Sequence, residues 1–219
     1  MKNMQWKAIL LGTALACLSL VPQAQAQDNL EIGALGLISD YRSVQVSNAS
    51  STGSVGPGLG FSGGFVIGQS MNNRWGGEFR YVYFKNDLEL IGGGRSADFG
   101  AQSHAIHYDV LYYFTDPDSR IRPYAAAGVG IKHYQGTGTE NSFQPLSDLA
   151  LLTKAGETKP MGDFGVGVKF FVGKRMMFRV EFRDYITAVP GKVITAAPGA
   201  KIDGILHQWA PMFGFSYMF

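Results

Sequence analysis

The residues of this chain that could do chemistry are charged side chains placed two apart. Arg179, Glu181 and Arg183 alternate with Phe178, Val180 and Phe182, and Glu78 and Arg80 alternate with Phe79 and Tyr81. In an extended strand this spacing sends the charges to one face and the apolar side chains to the other. Glu31, Asp109, Lys132 and Lys169 fall on the charged or glycine-rich face of their own segments. Together Glu31, Glu78, Arg80, Asp109, Lys132, Lys169, Arg179, Glu181 and Arg183 form one candidate charge network. Lining an open passage, such a set makes a selective or gated pore; paired in a narrow space, it makes a salt-bridged plug. An unpaired buried charge is costly, so pairing is the expectation, with Lys169 the expected mate of Glu181.

Other arrangements are weaker. His104 and His107 are three apart, so on a strand they face opposite sides and do not share a metal. His133 and His207 have no local ligand partners. Gly58-x-Gly60-x-x-Gly63 matches a dinucleotide-binding string but opens no helix. No metal or cofactor is expected. Pro145–Ala155 reads as a short helix with Leu146, Leu149 and Leu152 on one side, placed to cap a barrel mouth or to touch a partner.

The elements that must position these residues are strands. Period-two alternation covers about 29–39, 58–70, 76–86, 101–115, 122–135, 161–172, 176–187 and 206–219. Several reach the roughly 9–11 residues that a tilted strand needs to cross a bilayer. Connections alternate short and long: 71–75, 116–121 and 173–175 are turns, whereas 41–57, 87–100, 136–160 and 188–205 are long. Tight turns at one end and long loops at the other are the pattern of a membrane-spanning barrel. A soluble barrel could alternate as well, with its greasy face turned inward. The second face here carries Gly60, Gly64, Gly68, Gly128, Gly130, Gly165, Gly167 and Gly214, which suits a narrow eight-strand interior better than a wet surface.

The chain has 219 residues with 16% charged and 13% aromatic side chains and 29 glycines. Residues 1–26 read as a signal peptide: Lys2 and Lys7, the apolar run Ala8–Val21, and Ala24-Gln25-Ala26 as the cleavage site. Cleavage there removes two of the 19 basic residues and leaves 17 against 17 acidic ones. It also removes Cys17, the only cysteine. Neutrality gives no support to nucleic-acid binding, which needs a basic face, and an exported chain without cysteine has no disulfide framework. Residues 27–219 are expected to form one domain.

The last strand carries a resemblance. Phe219 is terminal, with Tyr217, Phe215 and Phe213 behind it on one face. This resembles the C-terminal assembly signal of bacterial outer-membrane proteins, and residues 28–219 resemble the small eight-stranded outer-membrane β-barrels, similar to the transmembrane part of OmpA-like proteins. Arg122–Gly130 and Phe178–Tyr185 also resemble segments of that superfamily. The resemblance implies an all-β, antiparallel, up-and-down transmembrane barrel in the outer membrane of a Gram-negative cell, with both termini periplasmic. It implies outer-membrane lipids and lipopolysaccharide as surroundings and the barrel-assembly machinery as a partner during biogenesis. A monomer is expected. The function it implies is structural or surface-interacting, with a small pore or a lipid A-modifying enzyme as alternatives. Enzymes of the latter kind pair Ser with His on one face; Ser103 and His104 are adjacent and diverge, and no His-x-Ser pair is present. No catalysis is therefore expected.

Overall fold

The computed structural model describes residues 30–140 and 144–219. The expected signal peptide lies outside the described residues. The strands are β1 (Leu30–Arg42), β2 (Val44–Ser47), β3 (Thr52–Pro57), β4 (Gly60–Ser70) and β5 (Trp75–Phe84). They continue as β6 (Leu88–Gly92), β7 (Arg95–Phe99), β8 (Ala101–Tyr113), β9 (Ile121–Gly136) and β10 (Ala150–Leu152). The chain ends with β11 (Gly156–Val172), β12 (Met176–Ala188), β13 (Ile194–Ala196), β14 (Lys201–Asp203) and β15 (Ile205–Met218). Among the described residues there is no helix.

Eight of these strands close a barrel in the order β1-β15-β12-β11-β9-β8-β5-β4. All pair antiparallel with their sequence neighbours in the barrel, and β1 against β15 seals the ring, from Glu31 opposite Met218 to Arg42 opposite His207. Closure leaves no free edge, which is the condition for strands to cross hydrocarbon with every N–H and C=O paired. Leu30 and Phe219 lie at the end with the short turns, where the Phe219 N–H donates to the Leu30 carbonyl at 2.9 Å.

The outer wall is apolar in its middle. Phe79, Ile106, Ile131, Phe164, Val166, Val180, Phe182 and Phe213 all stand exposed on it. Trp75, Tyr112, Phe114, Tyr217 and Phe219 ring the short-turn end. Toward the other rim the same face turns polar: Tyr81 meets His104 (2.8 Å), His133 meets Thr158 (2.9 Å), and His207 meets Asp184 (2.8 Å). An apolar band between an aromatic girdle and a polar–aromatic belt is the profile of a lipid-facing barrel wall.

At the far rim the long connections fold instead of trailing as loops. β14-β2-β3-β6-β7 form a five-stranded sheet above the wall, and β10 pairs with β13 beside it. Val44, Val46, Val55, Leu88, Leu90, Phe99, Leu146, Leu149, Leu152, Val193 and Ile194 bury together with Tyr41, Tyr134 and Leu206 from the barrel rim. This cap has a hydrophobic core of its own. The helix expected over 145–155 does not form: residues 145–149 are turns, Leu146 has φ 64°, and Ala150–Leu152 joins β13. Leu146, Leu149 and Leu152 do share one buried side, but they reach it through a turn and a strand.

Candidate functional site

The charged side chains meet inside the barrel, in the half nearer the short turns. Glu181 on β12 receives three guanidinium groups: Arg80 from β5 at 2.8 and 2.9 Å, Arg179 at 2.9 Å and Arg183 at 3.0 Å. Arg80 also binds Glu78 and lies 3.1 Å from Asp109, and Arg179 reaches Glu31 and, at 2.9 Å, Glu78. Arg183 continues to Asp109 at 3.0 Å and to Asp163 at 2.6 Å. The contacts with Asp109 are ion pairs rather than well-aimed hydrogen bonds. All of these side chains are buried.

Two of the expected assignments are corrected. Lys169 does not reach Glu181; its ammonium binds Glu31 (2.8 Å), Glu78 (2.8 Å) and the Tyr113 hydroxyl (2.9 Å). On β11 it lies opposite Arg179, one inward position closer to the short turns than Glu181, which lies opposite Gly167. Glu181 is meanwhile occupied by arginines. Lys132 stands apart from the network altogether. It donates to the Tyr41 hydroxyl at 2.7 Å and to Gln208, and its ammonium lies 4.0 Å from the centre of the Phe84 ring, with Tyr134 and Tyr185 also close. It contacts no carboxylate among the described residues, so cation–π attraction and two hydrogen bonds hold it.

Three members of the cluster were not assigned to it from sequence: Asp163, His107 and Tyr113. A signal for the first two was present. Asp163 is in phase with Gly165, Gly167 and Lys169, and His107 with Asp109, so period two places both inward. Glycine makes room for the whole arrangement. A Cβ on Gly167 would lie 2.6 Å from Tyr124 and 2.9 Å from Glu181, and one on Gly214 would lie 2.6 Å from Arg179.

Above the ion network, Leu37, Val82, Phe84, Ala105, Met161, Tyr185, Ala210 and Met212 fill the barrel and join it to the cap. At the short-turn mouth, Arg122 lies 3.9 Å above the Tyr113 ring and donates to the Asn73 carbonyl. A crevice there, lined by Glu31, Tyr113, Arg122 and Lys169, holds about 20 Å³, and one between rim and cap holds about 10 Å³. Each has room for roughly one water.

On the outer wall, His104 turns toward Tyr81 and Tyr83, while its cross-strand neighbour His133 turns toward Thr158 and Gly156, so the two rings diverge. His207 is paired with Asp184, a partner that sequence spacing did not reveal. Phe213, Phe215, Tyr217 and Phe219 also lie on this wall, descending β15 to the chain end. Tyr217 accepts a hydrogen bond from Arg175 at 3.0 Å and packs edge-on against Phe219.

The profile of the outer membrane protein beta-barrel domain family matches residues 13–219. The chain belongs to this family. It is an outer-membrane protein. Among solved structures it is similar to Neisserial surface protein A, with 13% identity over 87% of this chain and 97% of that one and a TM-score of 0.55. It is also similar to the N-terminal β-barrel domain of Pseudomonas aeruginosa OprF (16% identity, 89% and 100% covered, TM-score 0.47). A third is Ail, the attachment invasion locus protein of Yersinia pestis (11% identity, 88% and 100% covered, TM-score 0.46). At 13% identity the likeness to Neisserial surface protein A shows the fold alone. No curated protein sequence matches the chain.

Proposed function

We propose that this outer-membrane protein is a closed barrel with a structural or surface-interaction role, whose working surface is the folded extracellular cap and which carries out no catalysis. The observation that supports this reading is the filled lumen: an ion network, an apolar layer and the cap core stacked along one axis. A solute would have to break buried ion pairs and then cross an apolar layer. The Asp184–His207 pair on the outer wall has Trp209, not serine, two residues on along the same face, which accords with a non-catalytic wall. Phe213, Phe215, Tyr217 and Phe219 serve on this reading as the signal read by the barrel-assembly machinery. The surrounding lipid is phospholipid and lipopolysaccharide, and the protein works as a monomer.

Single-channel recording in planar bilayers tests the proposal. Purified barrel should give no steady conductance above the lipid background. Stable openings that pass small neutral solutes would replace this reading with that of a small pore.

A further inference from the structure

We infer that the cleft between turns 116–121 and 173–175 holds the phosphate of an anionic glycerophospholipid, drawn from the membrane leaflet that meets the short turns. The cleft encloses about 720 Å³, and Ser119, Arg120 and Lys174 supply its donors beside Phe171 and Val172. The Phe171 N–H donates to the Arg120 carbonyl at 2.9 Å, which fixes the two turns side by side. Among the described residues, the ion pair at this rim outside the lumen is Arg74–Asp116, at 3.0 Å. Arg120, Lys174 and the adjoining Arg175 are exposed and without a carboxylate partner there. Asp118 also lines the cleft, opposed by two cations on the lining and by Arg175 next in the chain.

The depth of these cations in the wall is that of lipid headgroups. Arg175 donates to the Tyr217 hydroxyl at 3.0 Å and Arg74 to the Phe114 carbonyl at 2.6 Å, so both touch the aromatic girdle. Girdle aromatics sit at the headgroup level of a bilayer, which puts the guanidinium and ammonium groups beside lipid phosphates. The two ends of the barrel also differ in charge. Arg74, Arg120, Lys174 and Arg175 face only Asp116 and Asp118 around the short turns. Around the far rim and cap, acidic residues are at least as numerous as basic ones. From the cleft an apolar track leads up the wall. Ile121, Val172, Met176 and Phe178 stand exposed on β9, β11 and β12, which pair side by side.

A free phosphate would use the donors of the cleft and leave the apolar track idle. A glycerophospholipid uses both, with its phosphate against Arg120 and Lys174 and its acyl chains along Val172 and Ile121. The site depends on the barrel standing in a membrane, and it holds whether or not the lumen conducts.

Native mass spectrometry of the barrel, released from vesicles of phosphatidylethanolamine and phosphatidylglycerol in equal amounts, tests the site. The wild type should retain phosphatidylglycerol in preference. At about fivefold per cation near an anionic surface, Arg120→Gln with Lys174→Gln should lower that preference by roughly 10- to 30-fold. Lys174→Gln alone, on an exposed turn, should lower it about fivefold. Lys85→Gln with Lys201→Gln, at the far rim, should leave it intact, and so should Arg120→Lys with Lys174→Arg, which keeps the charge. A compact, fast-migrating band on a gel checks that each variant is folded. No preference in the wild type, or equal loss in the two glutamine pairs, would overturn the proposal. So would displacement of the lipid by excess inorganic phosphate, which marks a free-phosphate site. Preferential retention of a phosphorylated lipid A added to the same vesicles would overturn it as well.

Discussion

Replacing Glu181 with alanine removes a carboxylate bound by three guanidinium groups, with four contacts between 2.8 and 3.0 Å. The loss is not three times that of one ion pair. Arg80 keeps Glu78 and Asp109, Arg179 keeps Glu31 and Glu78, and Arg183 keeps Asp109 and Asp163. What the substitution leaves is three guanidinium groups that have each lost a carboxylate partner, in a site water does not reach. Breaking a buried pair from one side costs about 3–5 kcal/mol. At about 2–4 °C per kcal/mol for a domain of this size, the midpoint of thermal unfolding should fall by roughly 6–20 °C. The readout is the temperature at which the compact, fast-migrating barrel converts to the unfolded band on a gel, confirmed by urea unfolding from lipid vesicles. Glu181→Gln keeps the shape and one acceptor oxygen, so it should fall between wild type and Glu181→Ala. If Glu181→Ala unfolds within about 1 kcal/mol of wild type, the lumen is wet enough to screen the arginines, and the plug argument fails.

Two further predictions use the same molecule. Lys132→Met should leave stability unchanged or raise it, because an isolated buried ammonium without a carboxylate is exchanged for an apolar chain of similar length; the same melting assay checks the sign. Single cysteines at Gly191 or Asp203 should react with an impermeant maleimide on intact cells, whereas one at Asp118 should react only after the outer membrane is permeabilised. Labelling in the opposite order would invert the barrel.

Much of this protein is legible in its sequence because the information is local. Alternation along Phe178–Arg183 states which side chains share a face, and the charges inside would otherwise stand in lipid, at roughly 2–4 kcal/mol for each arginine at the midplane. Short and long connections in strict turn assign the two ends. With one apolar face and glycines on the other in segment after segment, a closed up-and-down barrel is the arrangement that pairs every backbone group in a membrane.

The partners within the lumen were decided only by the tertiary structure. Glu181 on β12 meets Arg80 on β5, four strands away around a ring of eight, so the contact spans the lumen and leaves no mark in sequence spacing or pairing register. Lys169 went to Glu31 and Glu78 for the same reason: its depth along the axis, set by how the strands are staggered, matches theirs and not that of Glu181. Lys132 looks like any other inward cation in the chain, yet it lies at the height of the aromatic layer. The cap was hidden differently. Its apolar residues are scattered over all four long connections, in pieces as short as three residues, and only their convergence above the rim turns them into a core. Alternation along a strand tells which way a side chain points, but what it meets there depends on the strands across the barrel.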